Sequence, residues 1–317
     1  MGSRTPSRRT PSSDAPCAIV KRMRRAGISR PPSSIVRTKI FSCALVAFLG
    51  FAAGTNLQVL AQGTPSSQSL TPLQREIERE RQRFASSSTE ERRDAVMRLG
   101  AMHRPDSSRA AAAALHDPAA IVRATATHAI LSLPSDEAAG LILPLLRDRD
   151  EFVRREAAYA LGETRSPLAV PDLITLLADD KKFSVRASAA VSLGMIGDER
   201  AVVPLTEALA KGPENTGLLK KIRGKKSGEN EFVRRAAAVS LGQIRSRAAV
   251  HALIAALTNE READDVRRES ARSLGLIGDP SSVPALRSAL TAHDPYLSHI
   301  AYEALRKISS AEATRPA

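Results

Sequence analysis

The fold is decided by the ten residues Val153-Arg154-Arg155-Glu156-Ala157-Ala158-Tyr159-Ala160-Leu161-Gly162. Val153, Ala157 and Leu161 are spaced four residues apart, which places them on one face of an α-helix. The pattern recurs from Val185 to Gly194, from Val233 to Gly242 and, with Ser270 in place of an alanine, from Val266 to Gly275. Weaker copies end at Leu99, Ile130 and Leu305. The chain therefore repeats one amphipathic helix.

The repeat has a regular length. Its anchor residues stand at 99, 130, 161, 193, 241, 274 and 305, so the steps are 31, 31, 32, 48, 33 and 31 residues. A second helical stretch precedes each anchor helix, as in Pro171 to Leu177, and a polar turn such as His116-Asp117-Pro118 joins the two. We expect the glycine after each anchor to cap its helix in the left-handed region. Aromatic residues are 3% of the chain and Trp is absent, so small aliphatic residues must fill the core.

The ten-residue pattern, V-R-x-x-A-x-x-x-L-G, resembles the short HEAT repeat named after the phycobilisome (PBS) lyases. The resemblance covers about residues 72–308. It implies an all-α fold, an α-solenoid of about seven two-helix HEAT-like repeats. Members of that family include scaffolds, bilin lyases and a di-iron hydroxylase, so the resemblance implies no single function.

The N-terminal region is typical of a targeting segment. Residues 1–61 carry a net charge of +9 out of +13 for the whole chain. A basic stretch ending at Lys39 precedes the 14-residue apolar run Ile40 to Ala53, which is shorter than the roughly 20 residues that span a bilayer. We expect a basic leader and signal peptide at 1–61, cleaved before Gln62, and an exported chain, periplasmic or secreted. The alternative is an uncleaved N-terminal anchor. Either Met1 or Met23 is the start.

The proposed cleavage also removes both cysteines, Cys17 and Cys43. The mature chain is then expected to lack disulfides, Cys-ligated zinc and cysteine nucleophiles. Residues 62–71 are predicted to be a polar linker, residues 72–308 the solenoid and residues 309–317 a disordered tail.

The register of the repeats places an arginine at the same position of six repeats, directly after a valine in all but the first. These arginines are Arg92, Arg123, Arg154, Arg186, Arg234 and Arg267. Each follows an acidic turn, so we expect a ladder of ion pairs that fixes the stacking of repeats rather than a phosphate-binding stripe.

The 48-residue step contains a basic insertion at 212–228. Residues 211–228 contain six basic residues and one acid, Glu214. Gly and Pro in this stretch interrupt any long helix. It is either a solvated loop or a contact for an acidic partner. The predicted contacts in the insertion are Leu218, Leu219, Lys220, Lys221, Ile222, Arg223, Lys225 and Lys226.

Exposed positions of the anchor helices supply a second candidate surface. They predict partner contacts at Arg155, Tyr159, Arg235, Arg268 and Arg272, since Arg and Tyr are favoured at interfaces. None of the six histidines is followed by Glu or lies four residues from another His, so no catalytic or metal-binding set and no cofactor is predicted. The few aromatic residues disfavour nucleic acid as a partner, and a membrane would be contacted only by an uncleaved leader.

These observations predict a noncatalytic scaffold, not an enzyme, that binds a protein partner, an acidic one at the basic insertion. The alternative is an enzyme, or an accessory subunit of one, in the oxidoreductase or lyase branch of the repeat family. The residues do not predict the oligomeric state.

Overall fold

The computed structural model describes residues 70–212 and 229–313, and in this part of the chain the regular elements are helices. The α-helices are α1 Pro72–Gln82, α2 Thr89–Ala101, α3 Pro105–Ala111, α4 Ala120–Ala129, α5 Ser135–Ile142, α6 Glu151–Thr164, α7 Val170–Asp179, α8 Phe183–Ile196, α9 Val202–Ala210, α10 Glu231–Ile244, α11 Val250–Thr258, α12 Asp264–Ile277, α13 Val283–Ala289 and α14 Pro295–Ala313. They form seven consecutive pairs, which confirms the predicted all-α solenoid of seven repeats. We call the even-numbered helices the second helices.

The repeated apolar residues build the core as the pattern predicts. Val153, Ala157 and Leu161 of α6 are fully buried, and so are their equivalents in the neighbouring second helices. The first helices contribute larger residues, such as Leu173 in α7 and Leu205 in α9. These side chains join into one apolar cluster that continues from repeat to repeat. Each repeat therefore buries its apolar face against its neighbours.

The glycine of the pattern does not cap its helix, so that prediction was wrong. Gly162, Gly194 and Gly242 lie inside the second helices, at the point where the next second helix packs. A Cβ on Gly162 would lie 2.8 Å from the Cα of Ser192. The helix axes approach closely here, and only glycine leaves the room. The left-handed caps come later, for example at Gly197, with φ 77°.

A buried serine completes this close approach. The Ser192 hydroxyl donates to the Ala158 carbonyl at 2.7 Å, four residues before Gly162. The same bond joins Ser240 to Ala190 at 2.8 Å, and Ser273 to Ala238 at 2.7 Å. Each buried hydroxyl therefore has a hydrogen-bond partner, and the serine side chain fills the space beside the glycine.

The predicted arginine ladder is present. Arg123 donates through Nε to Asp148 of the next turn at 2.7 Å, and through Nη1 to the Asp117 carbonyl of its own turn at 2.8 Å. Each of the first five arginines makes the same two contacts, with a carboxylate of the following turn and with a backbone carbonyl of its own turn. The pairs are Arg92–Asp117, Arg123–Asp148, Arg154–Asp180, Arg186–Glu229 and Arg234–Glu262. Each rung thus fastens one repeat to the next.

Three of the ladder acids, Asp117, Asp148 and Asp180, have lowered pKa values. Burial disfavours the charged form of Asp148, but the hydrogen bonds from Arg123 and from the Asp150 amide outweigh burial and lower the Asp148 pKa below its ordinary value. The pKa values of Asp117 and Asp180 are lowered by the same balance. The three aspartate rungs are therefore ionic at neutral pH.

The basic insertion leaves the stack undisturbed. Its flanks meet, because the Glu229 amide donates to the Gly212 carbonyl at 2.9 Å between α9 and α10. The insertion residues 213–228, the leader and linker up to 69 and the last residues 314–317 lie outside the described residues. Helix α14 continues to Ala313, so the predicted tail at 309–317 begins inside a helix of good helix formers. Within the described ranges, no helix has the length and apolar character needed to cross a bilayer.

Candidate interaction surface

All five predicted contacts of the anchor helices lie on second helices. Arg155 and Tyr159 are on α6, Arg235 is on α10, and Arg268 and Arg272 are on α12. Arg155 and Arg235 are close to half exposed, whereas Arg268 is 27% exposed. The structure therefore places all five on three of the second helices. The predicted contacts from Leu218 to Lys226 lie outside the described residues.

Each of these arginines already has a carboxylate partner. Arg155 contacts Glu156 at 2.8 Å and Arg272 contacts Glu269 at 3.2 Å, each on its own helix. Arg268 reaches across to Asp294 at 2.7 Å, and this hydrogen bond raises the Arg268 pKa above its ordinary value. Exposed pairs of this kind contribute little stability, so a partner's carboxylate can replace the internal one at small cost.

A second set of exposed side chains was missed by the sequence reasoning. Ile121, Phe152, Phe183, Phe232 and Tyr296 occupy the first or second position of α4, α6, α8, α10 and α14. We call these five residues, four aromatic and one isoleucine, the aromatic row. Their exposed fractions range from 36% at Phe152 to 70% at Tyr296. Phe183 and Phe232 stack across two repeats, with ring centroids 6.0 Å apart.

The register of the repeat contained a signal for this row. Four of its members directly precede the buried valine or leucine of the pattern, as Phe152 precedes Val153. Neighbouring residues of an α-helix point about 100° apart, so the residue before a fully buried one can face solvent, as Phe152 does before Val153. The contacts predicted from the sequence lie directly after the ladder arginine or two residues before the anchor leucine. They therefore do not include the row.

The arginines and the aromatic row form one surface. The Arg155 guanidinium lies 5.0 Å from the centre of the Phe152 ring, and Arg268 lies 5.2 Å from the Tyr296 ring. Cation–π contacts of this kind hold the aromatic rings in place while leaving a face open. Exposed aromatic side chains beside arginines are the composition enriched at the centres of protein interfaces.

One histidine lies on the same helices, toward their C-terminal ends. The Nε2 of His128 is 3.1 Å from Glu156, and its Nδ1 is 3.2 Å from Glu163. The Tyr159 ring lies 6.2 Å from the imidazole. These contacts join α4 to α6 and place acid, base and phenol groups on an exposed face.

The described residues do not fit a bound metal. In residues 70–212 and 229–313, no group of three or more His, Cys, Asp and Glu side chains could hold a metal ion.

The geometry and the repeat register agree with matches to family models. The model for HEAT repeats matches residues 81–161, 139–217 and 253–316. The chain belongs to the HEAT repeat proteins. The model for the PBS lyase HEAT-like repeat matches residues 233–259, so the predicted subtype is found as well.

Similar proteins are found among curated sequences and solved structures. The bilin biosynthesis protein PecE of Mastigocladus laminosus is 47% identical over 57 residues, which are 18% of this chain and 21% of PecE. Deoxyhypusine hydroxylase-B of Oryza sativa subsp. japonica is 35% identical over 92 residues, 29% of this chain and 30% of that protein. The X-ray structure of YibA of E. coli has a TM-score of 0.51 and 21% identity, covering 74% of this chain and 82% of YibA.

These matches correct the predicted function. The expectation of a noncatalytic scaffold with no enzymatic role was wrong, because the matching proteins include a bilin biosynthesis protein and a hydroxylase. The repeat pattern consists of packing residues, and packing residues indicate the fold but not the function of the exposed surface. This chain covers between about a fifth and a third of the length of these curated relatives. The likeness to YibA concerns the fold alone.

Proposed function

We propose that this chain is an accessory subunit of a lyase-type enzyme and that it contacts a protein partner through the aromatic row and the neighbouring arginines. The observation that carries the proposal is the 57-residue stretch that is 47% identical to a bilin biosynthesis protein. The identity to the hydroxylase is lower, at 35%. The lyase branch therefore has the stronger support.

The surface suits a protein partner better than a small ligand alone. The aromatic row lies at the starts of α4, α6, α8, α10 and α14, with Asp265 at the equivalent position of α12, and its four rings are partly exposed. Exposed aromatic groups aligned over several repeats are costly in water unless another surface covers them. Because Arg155 and Arg235 flank the row, we propose that the partner presents acidic groups beside its apolar residues. The basic insertion at 212–228 adds positive charge to this chain and supports the same acidic partner.

To test the proposal, the chain is isolated with its partner from native cells, a bilin is added, and its absorbance spectrum is measured. A change in the bilin absorbance spectrum that needs both proteins is the expected result. The double variant Phe183→Ala/Phe232→Ala should lose the partner and the spectral change. Leu168→Ala is the matched control, because Leu168 is 52% exposed but lies outside the aromatic row.

Two outcomes separate the parts of this proposal. An unchanged bilin spectrum in the presence of the intact complex would exclude the lyase role. A partner retained by the double variant would exclude the aromatic row as the contact, whatever the complex does to the bilin.

We also propose export, with the apolar run Ile40 to Ala53 as the signal core. Sequencing the N-terminus of the chain from fractionated native cells should give a start near Gln62 in the extracytoplasmic fraction. A cytoplasmic chain that keeps residues 1–61 would contradict the proposal.

A further inference from the structure

The arginine ladder has a strict geometry. In each rung, the arginine is the fourth residue after the N-cap of its second helix, as Arg123 is after Ala119. The acid lies two residues before the next N-cap if it is Asp, as Asp148 is before Asp150, or one residue before it if it is Glu, as Glu262 is before Ala263. The longer Glu side chain compensates for the shorter distance along the chain.

The sixth rung lacks its acid. Arg267 is the fourth residue after the N-cap Ala263, in the ladder register. The two acid positions of the next turn are Ala292 and His293. Asp294 itself directly precedes α14, where it accepts the Tyr296 amide at 3.0 Å and pairs with Arg268 instead. Arg267 therefore has no carboxylate from the seventh repeat.

The guanidinium of Arg267 is left with a free edge. Its Nε donates to the Leu257 carbonyl at 3.1 Å, and its Nη1 stays 3.9 Å from Asp264, beyond hydrogen-bonding distance. No residue of the described ranges accepts a hydrogen bond from Nη2. The side chain is nevertheless only 16% exposed. A guanidinium edge that is held in place on one side and has unused donors on the other can bind an oxygen anion.

A polar cleft gives access to this edge. Arg267 lines it together with Ser288 and Thr291, while Leu257 and Ala289 supply an apolar side. Three acids also line the cleft: Glu260, Asp264 and Asp294, of which Asp294 is already paired with Arg268. A simple anion would be repelled by these carboxylates, whereas a ligand that carries an ammonium group beside its carboxylate would pair with both signs of charge.

We propose that this cleft binds an amino-acid-type zwitterion, whose carboxylate takes the place of the missing rung on Arg267 and whose ammonium group faces Glu260 and Asp264. The lining contains no member of the aromatic row, and the proposed site does not depend on the proposed lyase role. The ligand would link the sixth and seventh repeats as the acids link the others.

The test uses L-alanine, acetate and ethylamine as probes in calorimetric titrations of the full chain at constant ionic strength. L-Alanine should bind at least about tenfold more tightly than acetate or ethylamine, since each of those lacks one of the two charged contacts. Arg267→Met keeps the apolar stem and should weaken L-alanine binding by about ten- to hundredfold. Arg287→Met is the control, because Arg287 is exposed on α13 outside the cleft lining.

A second variant tests the same site by closing it. Ala292→Asp places an acid at the position that Asp117 and Asp148 occupy in their turns, so it should restore the rung. It should raise the Tm without ligand and abolish L-alanine binding. The proposal is wrong if the wild-type chain does not bind L-alanine, or if binding survives both Arg267→Met and Ala292→Asp. Acetate binding as tight as L-alanine binding would exclude the role of Glu260 and Asp264.

Discussion

At the residue scale, the sequence predicted the ladder arginines but not the identity of all their partners. The acidic turns before Arg123 and Arg154 made ion pairs the natural expectation, and the structure has them. The acids Glu229 and Glu262 were not predicted, because they stand one residue nearer the next helix than Asp148 does. Only the folded turn shows that a longer side chain reaches the same guanidinium.

The most buried rung should be the most costly to break. Arg234 and Glu262 are each 2% exposed. Arg234→Ala leaves the Glu262 carboxylate buried without a counter-charge, so the free energy of unfolding should fall by about 3–5 kcal/mol. Denaturant unfolding followed by circular dichroism measures this loss. Arg235→Ala, next to it but about half exposed, should cost no more than about 1 kcal/mol. Equal losses in the two variants would contradict the ladder's structural role.

The ladder acids also predict a pH dependence. The pKa values of Asp117, Asp148 and Asp180 are lower in the folded chain than in the unfolded chain. Their contribution to stability is therefore complete above about pH 4 and is lost as the pH falls below it through the folded values. The denaturation midpoint should therefore drop steeply as the pH falls below about 4. Asp148→Asn should be less stable at pH 7 and should show a shallower drop. A parallel pH profile for the variant would contradict the assignment.

At the scale of elements, the second helices pack more closely than the sequence indicated. The glycine of the pattern looked like a cap, because glycine after an apolar anchor is common at helix ends. The contact of Gly242 with Ser273 is a tertiary feature, and it joins residues 31 positions apart. Periodicity within one helix cannot distinguish these two uses of glycine.

Adding a methyl group at this contact should therefore destabilise the stack. A Cβ at Gly242 would lie 2.4 Å from the Ser273 hydroxyl oxygen. Gly242→Ala should lower the free energy of unfolding by about 1–3 kcal/mol, through overpacking between α10 and α12. Gly140→Ala in α5 is the control, since its Cβ would meet nothing within 4 Å. It should raise stability by up to about 1 kcal/mol, because alanine favours the helix. Thermal or denaturant unfolding of both variants measures the difference, and two losses of equal size would contradict the close-packing account.

At the scale of the whole molecule, the seven repeats could be predicted from the sequence, whereas the candidate interaction surface could be predicted only in part. The repeat register correctly placed Arg155, Arg235 and Arg268 on the second helices. It also held a signal for the aromatic row, at the position before the buried valine or leucine, but the core periodicity does not determine which residue stands on the exposed side. The function was predicted wrongly for the same reason: buried residues repeat, whereas the residues that meet a partner vary from repeat to repeat.

The stack should tolerate loss of its last repeat. Each repeat contacts its neighbours, and the sixth rung has no carboxylate from the seventh repeat. A chain that ends after Gly278 should therefore keep the helical signal of its first six repeats in circular dichroism. Complete loss of helix on this truncation would show that the stack folds only as a whole.

The most direct test of the proposed function is site-specific photo-crosslinking in native cells. The photoreactive residue p-benzoylphenylalanine replaces Phe183 or Phe232 of the aromatic row, or Leu168 as the exposed control. We predict that the two row positions capture the same protein, that Leu168 does not, and that the captured protein is a subunit of an enzyme that acts on a bilin. Identical capture at all three positions, or capture at none, would contradict the aromatic row as the working surface of this chain.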